Sequence, residues 1–524
     1  MLAFRKRAPT NEEVWMFRIG LFLCTCLFCF GQELSLEKKV AQLMMVHFYG
    51  EEVNEDARVL VEEIGVGGII YFTFSNGLHS FSQVSQLSRS LQNMAEIPLL
   101  IATDQEGGIV TRLQKEFTSF PGNRALAETK RVDLAERAAF AMGQELLSAG
   151  IVMNLAPVVD VNNNPRNPVI GVRSFGEDPE TVVAFAEAAL HGYKKAGVIT
   201  TLKHFPGHGD VDVDSHHALP VVQKSKEEMQ KMELVPFQRL SSEADVVMTA
   251  HLLAPALDPD HCVSLSKKAL DVLRDELGFE GVIMTDSLVM NGVLEECSWR
   301  IEEAAIRSLE AGSDLLLFGG RTPLLELHVQ DIRRIHQSIV EAVISGRLSE
   351  ERIDQSFQKV LHLKKKVYQL KDQELSFETE GHSELAQEIA SLALKEQQFG
   401  NRAFLLKEKK IALFAPDILK KDLEETSFLS LGKSLSPHFL GTQEEDFTSS
   451  KDADVLILFT YNAWKSPPQI SWIESLFELE KPIILVVTRD PQDMDVLPKA
   501  ELTFCTFNPS FLSLQAVCEA LKTR

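Results

Sequence analysis

The chain has 524 residues and 45% hydrophobic content, enough for two to three packed domains. Asp and Glu number 75 against 53 Lys and Arg, a formal net charge of −22. A surface of that sign repels phosphate backbones and argues against nucleic acid as a partner. An anionic ligand would need a locally basic pocket.

The N-terminus departs from this composition. Arg5, Lys6, Arg7 and Arg18 precede Ile19 to Phe30, which is almost wholly apolar, and Gly31, Gln32 and Glu33 follow. A basic region, a short apolar core and a small residue predict a secretory leader over residues 1–31. The expectation is export to a periplasmic, envelope-associated or secreted location. A buried N-terminal helix in a cytoplasmic protein is the alternative. The apolar run is shorter than the ~20 residues of a spanning helix, so no stable membrane span is expected after leader removal. Met16 is a second candidate start. Cys24 and Cys29 follow bulky residues and make poor lipidation sites. The remaining cysteines, Cys262, Cys297, Cys505 and Cys518, are widely spaced with no C-x-x-C, which predicts buried free thiols.

From about residue 36 to 320, short apolar runs alternate with amphipathic stretches. The runs are Leu43 to His47, Gly68 to Phe72, Leu99 to Asp104, Met153 to Pro157, Ile199 to His204, Val246 to His251, Gly281 to Asp286 and Leu315 to Phe318. Continuous apolar runs predict strands covered on both faces, hence a parallel sheet. Helix punctuation lies between them. Asp178-Pro179 supplies a cap and a first-turn proline before a run that stops near Gly197. Ser225 and Glu228 have capping-box spacing, and Gly278 follows the run Lys267 to Leu277. Eight such units predict a (β/α)8 TIM-type barrel over residues 32–370. Polar residues at the carboxyl ends of its strands, Asp104, Lys203, His204, His251 and Asp286, become catalytic candidates.

The fifth run continues as Leu202-Lys-His-Phe-Pro-Gly-His-Gly-Asp-Val-Asp-Val-Asp-Ser-His216. Pro206, Gly207 and Gly209 disfavour a helix there. In an extended loop positions i and i+2 point the same way. Asp214 then bonds one ring nitrogen of His216 and leaves the other for proton transfer. His217 adjoins this pair, facing either solvent or ligand.

Residues from about 330 to 398 read as helical and highly charged, with no good strand; 371–400 is assigned as a helical linker. A second α/β pattern follows over 401–524, with strands at Lys410 to Phe414, Val455 to Phe459, Pro482 to Thr488 and Leu502 to Thr506. That predicts a smaller C-terminal α/β sandwich domain. It has no Gly-rich phosphate loop, so no nucleotide is indicated, and no cofactor is implied.

The motifs Asp104-Gln-Glu-Gly-Gly108 with Arg112, Asn154 to Val161, Arg173-Ser-Phe-Gly-Glu-Asp-Pro179, Lys203 to His216, Ala250-His251 and Gly281 to Leu288 occur in a fixed order along the barrel. Together they resemble glycoside hydrolase family 3, in its β-N-acetylhexosaminidase branch. Ser345 to Ile353 resembles that family's post-barrel helix. The resemblance implies a retaining glycosidase acting on a carbohydrate substrate, terminal β-linked N-acetylglucosamine, in peptidoglycan fragments. It implies Asp286 as nucleophile, His216 with Asp214 as acid/base dyad, and Asp104, Arg112, Arg173, Lys203 and His204 as sugar-binding residues, with no metal. Two positions depart from the pattern: Ser287, where an acidic residue is common, and Ile109, where Arg is usual.

Three alternatives stand beside this expectation. The cluster of His204, His208, His216 and His217 with Asp210, Asp212 and Asp214 suggests a metal-dependent barrel hydrolase, although the first strand ends in a lone His47 rather than His-x-His. A family member of other specificity, β-glucosidase-like or a phosphorylase, differs in sugar or acceptor. A non-catalytic sugar-binding protein would have kept the fold alone.

Overall fold

The computed structural model describes residues 34–322, 324–370, 377–399, 406, 409–426, 428, 433–434, 438–440 and 451–522. The expected leader lies outside the described residues.

The first eight apolar runs form strands β1 (Met44–Val46), β2 (Gly68–Tyr71), β3 (Leu100–Thr103), β4 (Met153–Asn154), β5 (Thr201–Phe205), β6 (Val246–Thr249), β7 (Val282–Ser287) and β8 (Leu315–Phe318). They make an eight-stranded sheet in the order β4-β3-β2-β1-β8-β7-β6-β5, with parallel pairing between neighbours. Parallel bridges Met153–Ile199 and Val158–Lys203 join β4 to β5 and close the ring. Nearly every strand residue is buried, because helices cover the outside while side chains fill the interior. The expected barrel is present.

Local signals act as their chemistry requires. The Asp178 carboxylate accepts from the Thr181 amide at 2.9 Å and caps the helix Pro179–Ala196, which ends on left-handed Gly197. The capping box at Ser225 and Glu228 is formed. Cys262, Cys297, Cys505 and Cys518 are buried, and none of them is in a disulfide.

A second, seven-stranded sheet contains β9 (Lys395–Gln398), β10 (Lys410–Pro416), β11 (Lys433–Ser434), β12 (His438–Leu440), β13 (Val455–Thr460), β14 (Ile483–Val487) and β15 (Leu502–Cys505). Its order is β9-β15-β14-β13-β10-β11, with β12 also on β10. Helix Phe511–Lys522 covers one face through Leu514, Val517 and Leu521. Helix Pro467–Phe477 covers the other through Trp472, Ile473 and Leu476. The four expected strands are present. The stretch read as strandless up to residue 398 is not: β9 pairs antiparallel with β15. All four β9 residues are exposed, so edge pairing of the backbone holds the strand without an apolar pattern.

Helix Glu380–Ala393 connects the two units physically. Its Leu385, Ala386 and Ile389 belong to the barrel's apolar core, and Ala393 belongs to the second domain's. Among the described residues no helix is long and apolar enough to cross a membrane.

Candidate active site

The carboxyl ends of the barrel strands surround a cavity of about 220 Å³. Its floor is an ion network. Lys203, from β5, is 2.9 Å from Asp104 and 2.7 Å from Glu106. Arg173 forks Glu106, with Nε at 2.9 Å from Oε2 and Nη2 at 2.8 Å from Oε1. Arg112 reaches Asp104 at 3.3 Å and lies over the Phe72 ring. Three cations face two carboxylates, so the floor carries one net positive charge in an acidic chain. Burial alone would raise the Asp104 pKa, but Lys203, Arg112 and Arg173 hold it well below the usual carboxylate range.

Asp104 follows β3. Glu106 sits on a short hairpin, Gln105–Gly107 with Val110–Thr111. Arg173 closes a single 3-10 turn, Gly171–Arg173.

His204 adds an imidazole to this floor. Its Nδ1 bonds Asp160 Oδ2 at 2.7 Å, and its amide donates to Asp160 Oδ1 at 3.1 Å. The His208 amide donates to the same Oδ1 at 2.7 Å. Burial opposes the Asp160 charge, yet His204 and His208 bring its pKa down to about 2. The His208 ring bonds Ser215 Oγ through Nε2 at 3.2 Å, and burial pushes its pKa down to about 4. His208 is therefore a neutral anchor for the loop that carries the next two groups.

That loop follows β5. Gly209 lets it pass the segment that follows β4, since a Cβ there would lie 1.7 Å from the Val161 carbonyl oxygen. At its far end His216 Nδ1 bonds Asp214 Oδ1 at 2.8 Å, and the His216 amide donates to the same oxygen at 2.9 Å. This leaves Nε2 for an incoming ligand, and His216 lines the cavity. The Asp214 hydrogen bond raises the His216 pKa against the opposing effect of burial. Asp214 itself is desolvated, but the same contact holds it at about 2. His217 is exposed and does not line the cavity.

Asp286, next to last in β7, faces the cavity from the opposite mount, a strand rather than a loop. Oδ1 accepts from the Ser287 amide at 2.7 Å. Burial raises its pKa, but His204, His251 and His216 outweigh that and keep the carboxylate ionised. His251 fixes the strand end. Its Nε2 donates to the Ser287 carbonyl at 3.0 Å, and its Nδ1 accepts from Ser264 Oγ at 2.6 Å. Ser287, the first departure from the expected pattern, donates its hydroxyl to the Gly319 carbonyl. Among the described residues no group of three or more His, Cys, Asp or Glu is arranged to hold a metal ion.

An ionised carboxylate on a rigid strand, an oriented imidazole on a loop and a basic floor share one cavity. The family model for the glycosyl hydrolase family 3 N-terminal domain matches residues 35–363, which span this barrel. The chain belongs to glycosyl hydrolase family 3. Within the family it falls in the β-hexosaminidase branch. It is 35% identical over 389 residues to β-hexosaminidase A of Pseudoalteromonas piscicida, covering 69% of this chain and 61% of that one. It is 35% identical over 295 residues to a β-hexosaminidase of Pseudomonas aeruginosa, covering 56% of this chain and 86% of that one. The solved family 3 β-N-acetylglucosaminidase from Paenibacillus sp. str. FPU-7 superposes with a TM-score of 0.86 at 36% identity. That match covers 94% of this chain and 97% of the other.

Every site residue expected from the family 3 motifs lies in the cavity or, for Asp214, directly behind it. Sequence reasoning assigned no role to Glu106 and Asp160, and named His208 only as a ligand in the metal-dependent alternative, although all three stand inside those motifs. Asp160 also ends the apolar stretch Leu155 to Val159, and a charged residue terminating an apolar run was the available signal for it. The partners of all three come from distant segments, and spacing does not reveal them.

Proposed function

We propose that this protein is a retaining β-N-acetylhexosaminidase that removes terminal β-linked N-acetylglucosamine from peptidoglycan fragments. One observation carries the reading: the His216–Asp214 pair and the Asp286 carboxylate face the same small cavity. Asp286 attacks the anomeric carbon and forms a glycosyl ester while His216 Nε2 protonates the departing oxygen. His216 then takes a proton from water, which releases the sugar from Asp286 with net retention. Asp214 keeps the neutral imidazole in the tautomer with its proton on Nδ1. It also stabilises the imidazolium that donates in the first step and is regenerated in the second. Lys203, Arg112 and Arg173 hold sugar hydroxyls, with Asp104 and His204 beside them.

The branch membership and the acetylglucosaminidase relative support the choice of sugar. The basic floor suits a carboxylate-bearing leaving group of the muramyl type. The basic then apolar N-terminal run supports export to the compartment where such fragments arise.

Matched chromogenic β-N-acetylglucosaminide and β-glucoside substrates test the reading. A glucoside has no acetamido group, and the buried polar partner it leaves unpaired costs ~1–3 kcal/mol, so kcat/KM should favour the N-acetyl sugar roughly ten- to a hundredfold. Equal values would move the chain to the glucosidase side of the family. Free sugar should be the product with and without inorganic phosphate; a glycosyl phosphate would make the enzyme a phosphorylase.

A further inference from the structure

The C-terminal domain reaches the active site without lining it. Three cavity residues, Val169, Ile170 and Arg173, come from one turn of the barrel. Arg173 Nη1 also donates to the Val169 carbonyl at 3.3 Å, which ties the guanidinium to the turn. The outer side of this turn touches the second domain. Lys465 Nζ donates to the Pro168 carbonyl at 3.1 Å. Asp490, buried in the C-terminal domain, abuts Gly171: a Cβ there would meet Asp490 Oδ1 at 3.3 Å, and the glycine holds φ +47°. Val172 is buried in the apolar cluster of the C-terminal domain, and Ile109 packs against that cluster. Ile109, the second departure from the family pattern, sits on the hairpin that carries Glu106. An apolar residue there suits an interface where a guanidinium would need a partner.

Lys465 is held for this contact. It lies 4.5 Å from the centroid of the Trp464 ring and 3.9 Å from Asp490 Oδ2. Trp464 Nε1 donates to the same Asp490 oxygen at 3.1 Å. A lysine stacked and paired in this way has already given up much of its rotamer freedom, so its bond to Pro168 costs little further ordering.

Resting on the reading of the cavity as a sugar site, we infer that Lys465 is a positioning residue for substrate binding. By tying the Pro168 carbonyl to the C-terminal domain, it fixes the turn that presents Val169, Ile170 and Arg173 to the sugar.

The test uses the full chain with Lys465→Met and Lys465→Arg. A hydrogen bond to a backbone carbonyl is worth ~1 kcal/mol. Lys465→Met should raise KM for a chromogenic N-acetylglucosaminide about fivefold and leave kcat within about twofold, because binding weakens equally in the ground state and the transition state. Lys465→Arg keeps a donor and should restore KM. Backbone hydrogen exchange of the peptide spanning 165–175 should quicken in Lys465→Met and not in Lys465→Arg. Wild-type KM with unchanged exchange in Lys465→Met overturns the inference. So does a loss of kcat and thermal stability together that Arg does not rescue, since that is a fold defect. Absence of turnover in the wild-type protein defeats the sugar reading, and the exchange measurement still decides whether Lys465 holds the turn.

Discussion

The floor of the cavity and its rim are built in opposite ways. On the floor the Lys203 and Glu106 side chains are 2% and 1% exposed, and each charge has an opposite charge within hydrogen-bond distance. At the rim the His216 side chain is 54% exposed and has one fixed partner. The buried, ion-paired core of this network, Lys203 with Glu106, does not titrate near neutrality, so it holds geometry. A half-open imidazole exchanges protons with substrate and solvent, so it carries the acid/base step. Asp286 belongs with the floor in its rigidity, being the end of a strand, and with the rim in its chemistry. The molecule separates what must stay still from what must move a proton.

The separation breaks most completely at the nucleophile. Asp286→Ala should lower kcat by on the order of 10⁵-fold or more on every substrate, with an unchanged thermal unfolding curve. Retention of substantial turnover would remove the carboxylate from the covalent role.

His216→Ala sharpens the contrast by leaving group. Loss should be ~10²–10⁴-fold for alkyl or sugar leaving groups and only a few-fold for activated aryl glycosides, since a stable leaving group needs little protonation. Stability should stay within about 0.5 kcal/mol, as expected for an exposed side chain. A uniform loss on all substrates would make His216 a binding residue.

Lys203→Met probes the floor, and its signature is stability. Removing Lys203 leaves Glu106 with Arg173 and Asp104 with Arg112 alone, a destabilisation of ~1–3 kcal/mol, read as an earlier denaturation midpoint. An unperturbed midpoint would mean that water enters the floor freely.

Asp214→Asn should be mildest, about tenfold or less in kcat, because the proton carrier survives. Its clearer sign is in pH. The Asp214 carboxylate raises the His216 pKa, so its removal lowers that pKa. The alkaline limb of kcat, where the acid gives up its proton, should shift to lower pH. A shift upward would contradict the orienting role.

Much of this was legible in the sequence, for reasons that differ by region. The eight barrel strands are covered on both faces, so each reads as an unbroken apolar run. The polar residues closing those runs stand at the catalytic end by the geometry of the barrel. The contact of Asp214 with His216 was expected from an extended loop; it forms, but through a turn, in which the Asp214 carbonyl accepts from the His217 amide at 2.9 Å. What escaped depends on contacts between distant segments: Glu106 with Lys203 and Arg173, Asp160 with His204 and His208, Lys465 with Pro168. Strand β9 escaped because an exposed edge strand needs only backbone partners. Ile109 stood out as an exception to the pattern, and only the packing against the C-terminal domain explains it.

The central claim is a covalent sugar on Asp286. Incubation with a fluorinated, slowly turned-over N-acetylglucosaminide analogue, followed by peptide mass spectrometry, tests it most directly. The account predicts one added glycosyl group on the peptide Val282 to Ser287, at Asp286, absent in Asp286→Ala. A label on Asp104 or Asp214 would contradict it, as would an unlabelled enzyme that releases product with inverted configuration.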